Sequence, residues 1–132
     1  MQKTFTYPKF EFVRPPELIE GKSGHYPVVV VGAGPVGLSA AIDLANQGQD
    51  VLLLDNDDTV SIGSRGVCYA KRALEVLDRM GCGEQFVQKG VSWDVGRTFL
   101  RESEVFNFNL RPEADHHRPG MINLQQYYLE EY

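Results

Sequence analysis

The segment Pro27–Asp55 limits most strongly what this chain can fold into. It reads PVVVVGAGPVGLSAAIDLANQGQDVLLLD: a β-branched run, a glycine-rich turn, an amphipathic stretch, a second apolar run and an acid. Four valines in a row, Val28–Val31, are typical of a strand buried on both faces, as in a parallel sheet. A helix is predicted over residues 35–47, ended by Gly48, and a second strand over Val51–Leu54. This order predicts a phosphate-binding β–α–β unit.

The predicted helix carries one apolar stripe. Apolar residues recur at three- and four-residue spacing, which predicts that four side chains face the sheet: Leu38, Ala41, Ile42 and Ala45. Asp43 and Gln47 are predicted to lie on the outer face. The first turn of this helix, with its free N–H groups and partial positive charge, is the expected contact for a phosphate.

The glycine-rich turn has the spacing Gly32-x-Gly34-x-x-Gly37, and each glycine has a physical reason. The first permits a tight turn out of the strand, and the second lets the backbone approach a pyrophosphate closely. The third lets the helix pack against the strand. The predicted cofactor-binding turn comprises Gly32, Ala33, Gly34, Pro35, Val36 and Gly37.

Asp55 follows the second predicted strand, 18 residues (55 − 37) beyond Gly37. A carboxylate at this place accepts hydrogen bonds from the ribose hydroxyls of an adenine dinucleotide. Its neighbour Asn56 is included in the predicted site. An acid here disfavours a 2′-phosphate, so the residues favour FAD or NAD over NADP and leave the choice between those two open.

The remaining elements are predicted more coarsely. Residues 1–26 show no sustained periodicity and are predicted to form an extended arm with one turn at Pro16–Glu20. A later helix should bury Leu74 and Leu77. The elements predicted after Asp55 are a helix over Tyr69–Met80, a short helical turn over Glu84–Lys89, strands over Val91–Leu100 and Val105–Leu110, a loop over Arg111–Gly120, and a final helix capped by Asn123.

Composition excludes several classes of partner. The 132 residues carry a formal net charge of −5 without a basic block, so duplex nucleic acid is excluded. No apolar run is long enough to span a bilayer or to form a signal peptide, so no membrane is expected. Cys68 and Cys82 have no metal-ligand spacing, and the pair His116-His117 has no third ligand nearby. We therefore expect no metal, and two reduced cysteines in a cytoplasmic protein.

Three separated stretches occur in the order found in one enzyme family. They are GAGPVGLSAAIDLA, GSRGVCYAKRALEVLDRMGC and INLQQYYLEEY. Together they resemble the N-terminal part of class A flavoprotein monooxygenases, the FAD-dependent aromatic hydroxylases, over about residues 26–132. The resemblance implies an α/β fold with a Rossmann-like, GR2-type FAD-binding β–α–β unit, a parallel sheet and an additional β-hairpin. It also implies tightly bound FAD, NAD(P)H as co-substrate, O₂, and a small aromatic (phenolic) substrate.

The resemblance also implies roles for individual residues. Asp55 stands where the family usually has a glutamate for the ribose. Arg65, followed by Gly66, stands where the family has an arginine that approaches FAD; the alternative is a solvated loop cation. Gln126, in the pattern Gln-x-x-Leu-Glu, is implied beside the ribityl chain or the diphosphate, and Gln125 is its rival. No catalytic residue is assigned.

The family pattern also predicts that this domain is incomplete. A second FAD motif and a substrate domain normally come later and are absent from these 132 residues. We therefore expect an arm over 1–26 and the N-terminal part of an FAD-binding domain over 27–132, inactive alone as a hydroxylase. Association with a missing C-terminal part or with another copy is expected. The alternatives are a non-catalytic nucleotide-binding or interaction module and an NAD-linked dehydrogenase domain.

Overall fold

The structure is a computed structural model that describes residues 5–63, 65–110 and 115–132. In those residues the chain forms α1 (Pro16–Glu20), β1 (Val28–Val31), α2 (Pro35–Asn46), β2 (Val51–Leu54), β3 (Cys68–Ala70), α3 (Lys71–Arg79), α4 (Gly83–Lys89), β4 (Val91–Trp93), β5 (Val95–Leu100), β6 (Ser103–Asn109), β7 (Met121–Asn123) and α5 (Gln126–Glu131). The fold is mixed α/β, with one parallel strand pair and two antiparallel sheets.

The predicted β–α–β order is confirmed. Strands β1 and β2 pair in parallel, with Val28 opposite Val51. Helix α2 connects them and begins at Pro35, where the missing N–H leaves no helical hydrogen bond unmade. The helix ends as predicted, since Gly48 adopts φ +78° and its N–H donates to a carbonyl of the last turn.

The prediction that β1 is buried on both faces is wrong. Its burial alternates, and Val29 and Val31 leave 49% and 82% of their surfaces exposed. On α2, Leu38 and Ala41 are half-buried as predicted, but Ile42 is exposed. The physical reason is that the described residues form only a two-stranded parallel pair with α2, which leaves one face of that pair without a packing layer.

The outer face of α2 also differs from its prediction. Asp43 is half-buried and its carboxylate accepts a hydrogen bond from the Arg79 guanidinium of α3 at 2.7 Å, whereas Ala45 is exposed. Burial on this helix therefore follows contact with α3 as well as contact with the strands. An ion pair between two helices cannot be read from the periodicity of one of them.

The hydrophobic core lies where α3 and α4 meet β7. Its buried members are Leu74, Leu77, Phe86, Ile122 and Leu124. The predicted inward face of α3 is confirmed, and Gly81 ends that helix with φ +87°. Helix α3 begins later than predicted because Cys68–Ala70 form β3, which pairs with β7.

The predicted strand Val91–Leu100 is wrong as one element. It divides at Asp94 into β4, which pairs with β7, and β5, which forms an antiparallel hairpin with β6. Asp94 holds this junction: its carboxylate accepts from the Gly120 N–H and its carbonyl from the Leu110 N–H. The additional β-hairpin expected from the family pattern is therefore present.

The predicted start of the last helix is also wrong. Asn123 ends β7, the central strand between β3 and β4, and α5 begins at Gln126. The Asn123 amide oxygen accepts a hydrogen bond from the Trp93 indole N–H at 2.9 Å, so its side chain joins strands. Its polar side chain does not cap a helix because it bonds within the sheet.

The N-terminal arm has the one predicted turn, which is α1. Part of the arm (residues 1–4) and part of the predicted loop Arg111–Gly120 (residues 111–114) lie outside the described residues. Searched over the described residues, no helix is long and apolar enough to cross a membrane.

Candidate nucleotide-binding site

A cleft of about 340 Å³ opens between the glycine-rich turn, the loop after β2 and α5. It is lined by residues far apart in the sequence, among them Ala33, Gly34, Asp55, Arg65 and Gln126. Ligand pockets commonly have volumes of about 300–1,000 Å³, so this cleft is large enough for part of a dinucleotide. The structure thus brings five of the predicted cofactor-binding residues to one place.

The three glycines of the turn differ in what surrounds them. Gly32 has φ +102°, a conformation that side chains disfavour. A Cβ at Gly37 would lie 1.8 Å from the Gly32 carbonyl oxygen, so only glycine allows the helix to approach the turn. A Cβ at Gly34 would meet no protein atom within 4 Å. Gly34 therefore leaves open space at the cleft, where a ligand could approach the backbone.

The N-terminus of α2 borders the same turn. Pro35 has no N–H. The first backbone N–H with an acceptor inside the helix is that of Leu38, which donates to the Gly34 carbonyl, so the N–H groups of Val36 and Gly37 have no helical acceptor. Such groups attract an anion, and the helix dipole adds to the effect. Among the residues that the structure describes, no side chain caps this helix start, so these donors can bind a ligand.

Asp55 is fixed by backbone donors at the end of β2. Its carboxylate accepts hydrogen bonds from the Ala33 N–H at 2.5 Å and the Asp57 N–H at 2.7 Å. Bonds from the Ala33, Asp57 and Asn56 N–H groups hold the pKa of Asp55 below its usual value, despite a small opposing effect of burial. The carboxylate is therefore ionised at neutral pH, and its remaining lone pairs can accept hydrogen bonds from ribose hydroxyls.

Arg65 supplies positive charge to the cleft. Its side chain is exposed and lines the cleft. Within the part of the chain that the structure describes, its guanidinium makes no hydrogen bond or ion pair. An arginine side chain that lines the same cleft as Gly34, the residue before α2, suits the oxygens of a phosphate or a ribityl chain.

Gln126 joins α5 to the loop after β2. Its amide oxygen accepts from the Gly66 N–H at 3.1 Å, and its amide nitrogen donates to Ser61 Oγ and to Glu130. Glu130 in turn accepts from the Ser61 N–H and hydroxyl. Gln125, the rival, is exposed and lines a different hollow beside α4 and β4. The geometry therefore places Gln126, and not Gln125, in the cleft.

Six other predicted residues do not line the cleft. They are Gly32, Pro35, Val36, Gly37, Asn56 and Gly66. Seven lining residues were not predicted as cofactor contacts: Phe10, Leu38, Asp57, Thr59, Val60, Ser61 and Glu130. Of these, Phe10, from the arm, and Thr59, from the loop, belong to no motif, and no periodicity marks them. Only the folded path of the arm shows that Phe10 reaches this site.

The histidine pair does not form a metal site in the described residues, which contain no group of three or more His, Cys, Asp or Glu able to hold a metal. His116 Nδ1 lies 2.9 Å from Lys71 Nζ. Cys68 and Cys82 are free thiols, and burial raises the pKa of Cys82. None of these groups lines the cleft.

The donor set fits an adenine dinucleotide. Open space at Gly34 and the Arg65 guanidinium suit the pyrophosphate, and the Asp55 carboxylate suits a ribose. An ionised acid at the ribose position disfavours a 2′-phosphate. The residues therefore match the chemistry of FAD, whose adenosine half would occupy the cleft.

Comparison with known proteins identifies the family. The model of the FAD binding domain family matches residues 25–132. Para-nitrophenol 4-monooxygenase of Pseudomonas sp. (strain WBC-3) is 39% identical over 64 residues, which cover 48% of this chain and 16% of that protein. 3-Hydroxybenzoate 6-hydroxylase 1 of Aquipseudomonas alcaligenes is 36% identical over 70 residues, which cover 53% of this chain and 18% of that protein.

A solved structure agrees with the sequence matches. The p-nitrophenol 4-monooxygenase of Pseudomonas putida DLL-E4 superposes with a TM-score of 0.71 and 29% identity, covering 79% of this chain and 27% of that one. The chain thus spans well under a third of the length of these relatives. It belongs to the FAD binding domain family.

Proposed function

We propose that this chain is the FAD-binding segment of a flavin-dependent monooxygenase that hydroxylates a small aromatic, phenolic substrate with NAD(P)H and O₂. One observation carries the proposal: the fold brings Gly34, Asp55, Arg65 and Gln126 to a single cleft. Gly34, Arg65 and Gln126 come one from each of the three separated motifs, and Asp55 follows the strand between the first two; the family resemblance implies a role toward FAD for each. Relatives named for nitrophenol and hydroxybenzoate support an aromatic substrate.

Each residue would act on a different part of the cofactor. The N-terminus of α2 and Arg65 would hold the pyrophosphate by charge, and Asp55 would bind the adenosine ribose. Gln126 would orient the diphosphate or the ribityl chain, and its bonds to Gly66 and Ser61 hold its amide in place. FAD, when bound, supplies the redox and oxygen chemistry. The turn and α2 would then serve as a Rossmann-like, GR2-type unit.

Catalysis would need protein outside these 132 residues. The chain corresponds to 16–27% of three relatives, so we place the substrate pocket and the second FAD contact elsewhere. The chain alone should bind FAD without hydroxylating a phenol. Free thiols at Cys68 and Cys82 agree with a cytoplasmic location.

A second candidate function is a non-catalytic nucleotide-binding module that pairs with other protein. The exposed face of the parallel pair favours it, since Val29, Val31 and Leu54 present apolar surface there. This surface would be covered either by a C-terminal part of the same enzyme or by another copy. Light scattering of the purified chain, with and without added FAD, distinguishes a monomer from a self-associating module.

Thermal-shift measurements with FAD, NAD and NADP test the main proposal. FAD should raise the melting temperature, because a ligand that binds only the folded state stabilises it. A shift with NAD and none with FAD would favour an NAD-linked dehydrogenase domain. NADH consumption in the presence of phenolic acids then separates an active hydroxylase from a binding module: consumption by the chain alone would contradict the expected inactivity.

A further inference from the structure

Residues 5–12 of the N-terminal arm lie outside the matched family region, which begins at residue 25. One end of the arm packs against α5. The Phe5 ring lies 4.2 Å from the Tyr127 ring and 5.0 Å from the Tyr128 ring, measured between centroids. Aromatic rings at such separations attract one another and bury apolar surface. The arm is therefore attached to the helix that carries Gln126.

The arm is also attached to the loop after β2. The Tyr7 hydroxyl accepts a hydrogen bond from the Gly63 N–H at 3.3 Å, and the Phe10 N–H donates to the Asp58 carbonyl at 2.8 Å. The Lys9 ammonium forms an ion pair with the Asp58 carboxylate. The arm thus bridges two of the elements that line the cleft, and its course from α5 to Asp58 is held by both backbone and side-chain contacts.

Phe10 is the arm residue that lines the cleft. Its side chain is 59% exposed, so its ring is not used to fill the core. Asp58, whose carbonyl accepts from the Phe10 N–H, lies three residues beyond Asp55 in the loop after β2. An adenine nucleotide runs from phosphate through ribose to base. With phosphate at the turn and ribose at Asp55, the base would extend toward Phe10.

A second observation concerns Thr59, which follows Asp58 in the loop after β2 and lines the same cleft. Thr59 Oγ1 is buried and, among the described residues, has no hydrogen-bond partner, although Thr59 lines the cleft. A buried hydroxyl without a partner is uncommon in proteins and asks for an explanation. A ring nitrogen or exocyclic amine of a purine would supply the missing partner, since a hydroxyl can both donate and accept.

We propose that Phe10 and Thr59 form an adenine subsite, in which the Phe10 ring stacks on the purine and the Thr59 hydroxyl bonds to its edge. The inference rests on the proposed FAD-binding function and adds to it a binding role for the arm. Aromatic stacking on a base is tolerant of sequence and needs only an exposed ring face, which Phe10 has.

The test compares FAD and ADP binding by the full chain and four variants, using isothermal titration calorimetry. Phe10→Ala should weaken both ligands by about tenfold, a value typical for the loss of one stacked base. Phe10→Tyr should retain affinity within about twofold, because it keeps the ring. Thr59→Val, of matching shape, should weaken both ligands by about three- to tenfold. The matched control is Phe12→Ala, since Phe12 is 79% exposed and does not line the cleft.

ADP lacks the flavin, so equal losses for ADP and FAD place the effect at the adenine half. Unchanged affinity in Phe10→Ala, with the wild-type chain binding both ligands, would overturn the adenine subsite and leave the proposed function intact. Failure of the wild-type chain to bind either ligand would instead overturn the proposed function, and the subsite with it. Should Phe10→Ala lower the melting temperature, Phe10→Tyr decides: restored stability without restored affinity contradicts stacking.

Discussion

At the residue scale, Gly34 and Gly37 are the same amino acid with different surroundings. A side chain at Gly37 would strike the Gly32 carbonyl, whereas one at Gly34 would meet only open space at the cleft. The first glycine is therefore needed for folding and the second for a ligand. The spacing of the glycines predicts both the close helix packing at Gly37 and the open backbone at Gly34. Only the folded structure shows which atoms a side chain at each position would meet.

Replacing Gly34 with valine should abolish FAD binding while the apo chain stays folded. Its backbone is extended, with φ −75°, so the cost to folding is limited to a poorer helix start of about 1 kcal/mol. FAD affinity should fall by about 100-fold or more, because the side chain would occupy the place of the pyrophosphate. Flavin fluorescence titration measures the affinity, and urea unfolding measures the stability.

The companion variant is Gly37→Ala. Its Cβ would clash with backbone, so the apo chain should lose about 1–3 kcal/mol of unfolding free energy. A stable Gly37→Ala variant, or undiminished FAD affinity in Gly34→Val, would contradict the assignment of the turn.

Asp55→Asn should weaken FAD binding by about tenfold, whereas Asp55→Glu should stay within about threefold. The asparagine keeps the shape but loses the charge that ribose hydroxyls and the surrounding N–H groups favour. The pKa of Asp55 is lowered, so its contribution to binding is present at neutral pH and is lost only as pH falls below about 4. Wild-type affinity, measured by calorimetry, should be flat from about pH 5 to 8; a rise or fall centred in that range would indicate a different group.

At the element scale, α5 and the loop after β2 form one side of the cleft because Gln126 and Glu130 bond to Ser61. The loop is held by a helix that follows it by about 60 residues in the chain. A polar network of this kind fixes the position of a loop only while all its members are present. The affinity of the cleft for a ligand should therefore depend on α5.

Gln126→Leu should weaken FAD binding by about tenfold. In this variant the Gly66 N–H loses its bond to the Gln126 amide, and the Ser61 hydroxyl keeps only its bond to Glu130, so the loop is held less firmly in position. The matched control is Gln125→Leu, which changes an exposed residue outside the cleft and should leave affinity within about twofold. Both affinities are obtained from the same fluorescence titration. A larger loss of FAD affinity in Gln125→Leu than in Gln126→Leu would indicate that Gln125, and not Gln126, contributes to the cofactor site.

The elements also show where sequence patterns are sufficient. The helix α2 and its end at Gly48 follow from local signals, since proline, glycine and apolar spacing act within one segment. The division of residues 91–100 at Asp94 cannot be predicted from local signals, because it depends on hydrogen bonds between Asp94 and two residues far along the chain, Leu110 and Gly120. Likewise Asn123 resembles a helix cap until β3 and β4 are seen on either side of it.

At the scale of the whole molecule, Arg118 fastens the C-terminal segment to α3 and α4. Its side chain is 7% exposed and contacts the carboxylates of Asp78 and Glu84. Hydrogen bonds from Arg118 hold the pKa of both carboxyl groups below their usual values. This segment continues into β7 and α5, so the cluster supports the position of Gln126 from a distance.

Arg118→Met should lower the unfolding free energy by about 1–2 kcal/mol at pH 7, a modest value because both carboxylates are partly exposed. A carboxyl group with a lowered pKa stabilises the fold above its unfolded pKa and ceases to do so as pH falls through its folded pKa. The difference between wild type and variant should therefore shrink below about pH 4.

Urea unfolding at several pH values measures this difference. The control is Arg72→Met, which removes an ion pair with 80% of the arginine side chain exposed and should cost less than about 0.5 kcal/mol. Two results would contradict a stabilising role for the buried Arg118 side chain. One is an equal loss of unfolding free energy in Arg118→Met and Arg72→Met, and the other is a difference between wild type and Arg118→Met that grows as the pH falls.

The molecule also shows what the sequence leaves out of the site. Sequence patterns predicted Gly34, Asp55, Arg65 and Gln126 as cofactor contacts, and the fold brings all four to one cleft. Gly34 precedes α2, Asp55 follows β2 and Gln126 begins α5, whereas Arg65 lies in the loop before β3. Phe10 and Thr59 carry no motif, and their place depends on how the arm crosses the loop. Burial was predicted least well, since the exposed face of Val29 and Val31 depends on which layers pack there.

The central claim is that this chain binds FAD through the cleft beside the glycine-rich turn. The most direct measurement is the visible absorbance of the purified chain after incubation with FAD and gel filtration, with Gly34→Val run in parallel. Flavin absorbance should elute with the wild-type chain and be absent from the variant. A colourless wild-type chain, or equal flavin in both samples, would contradict the claim.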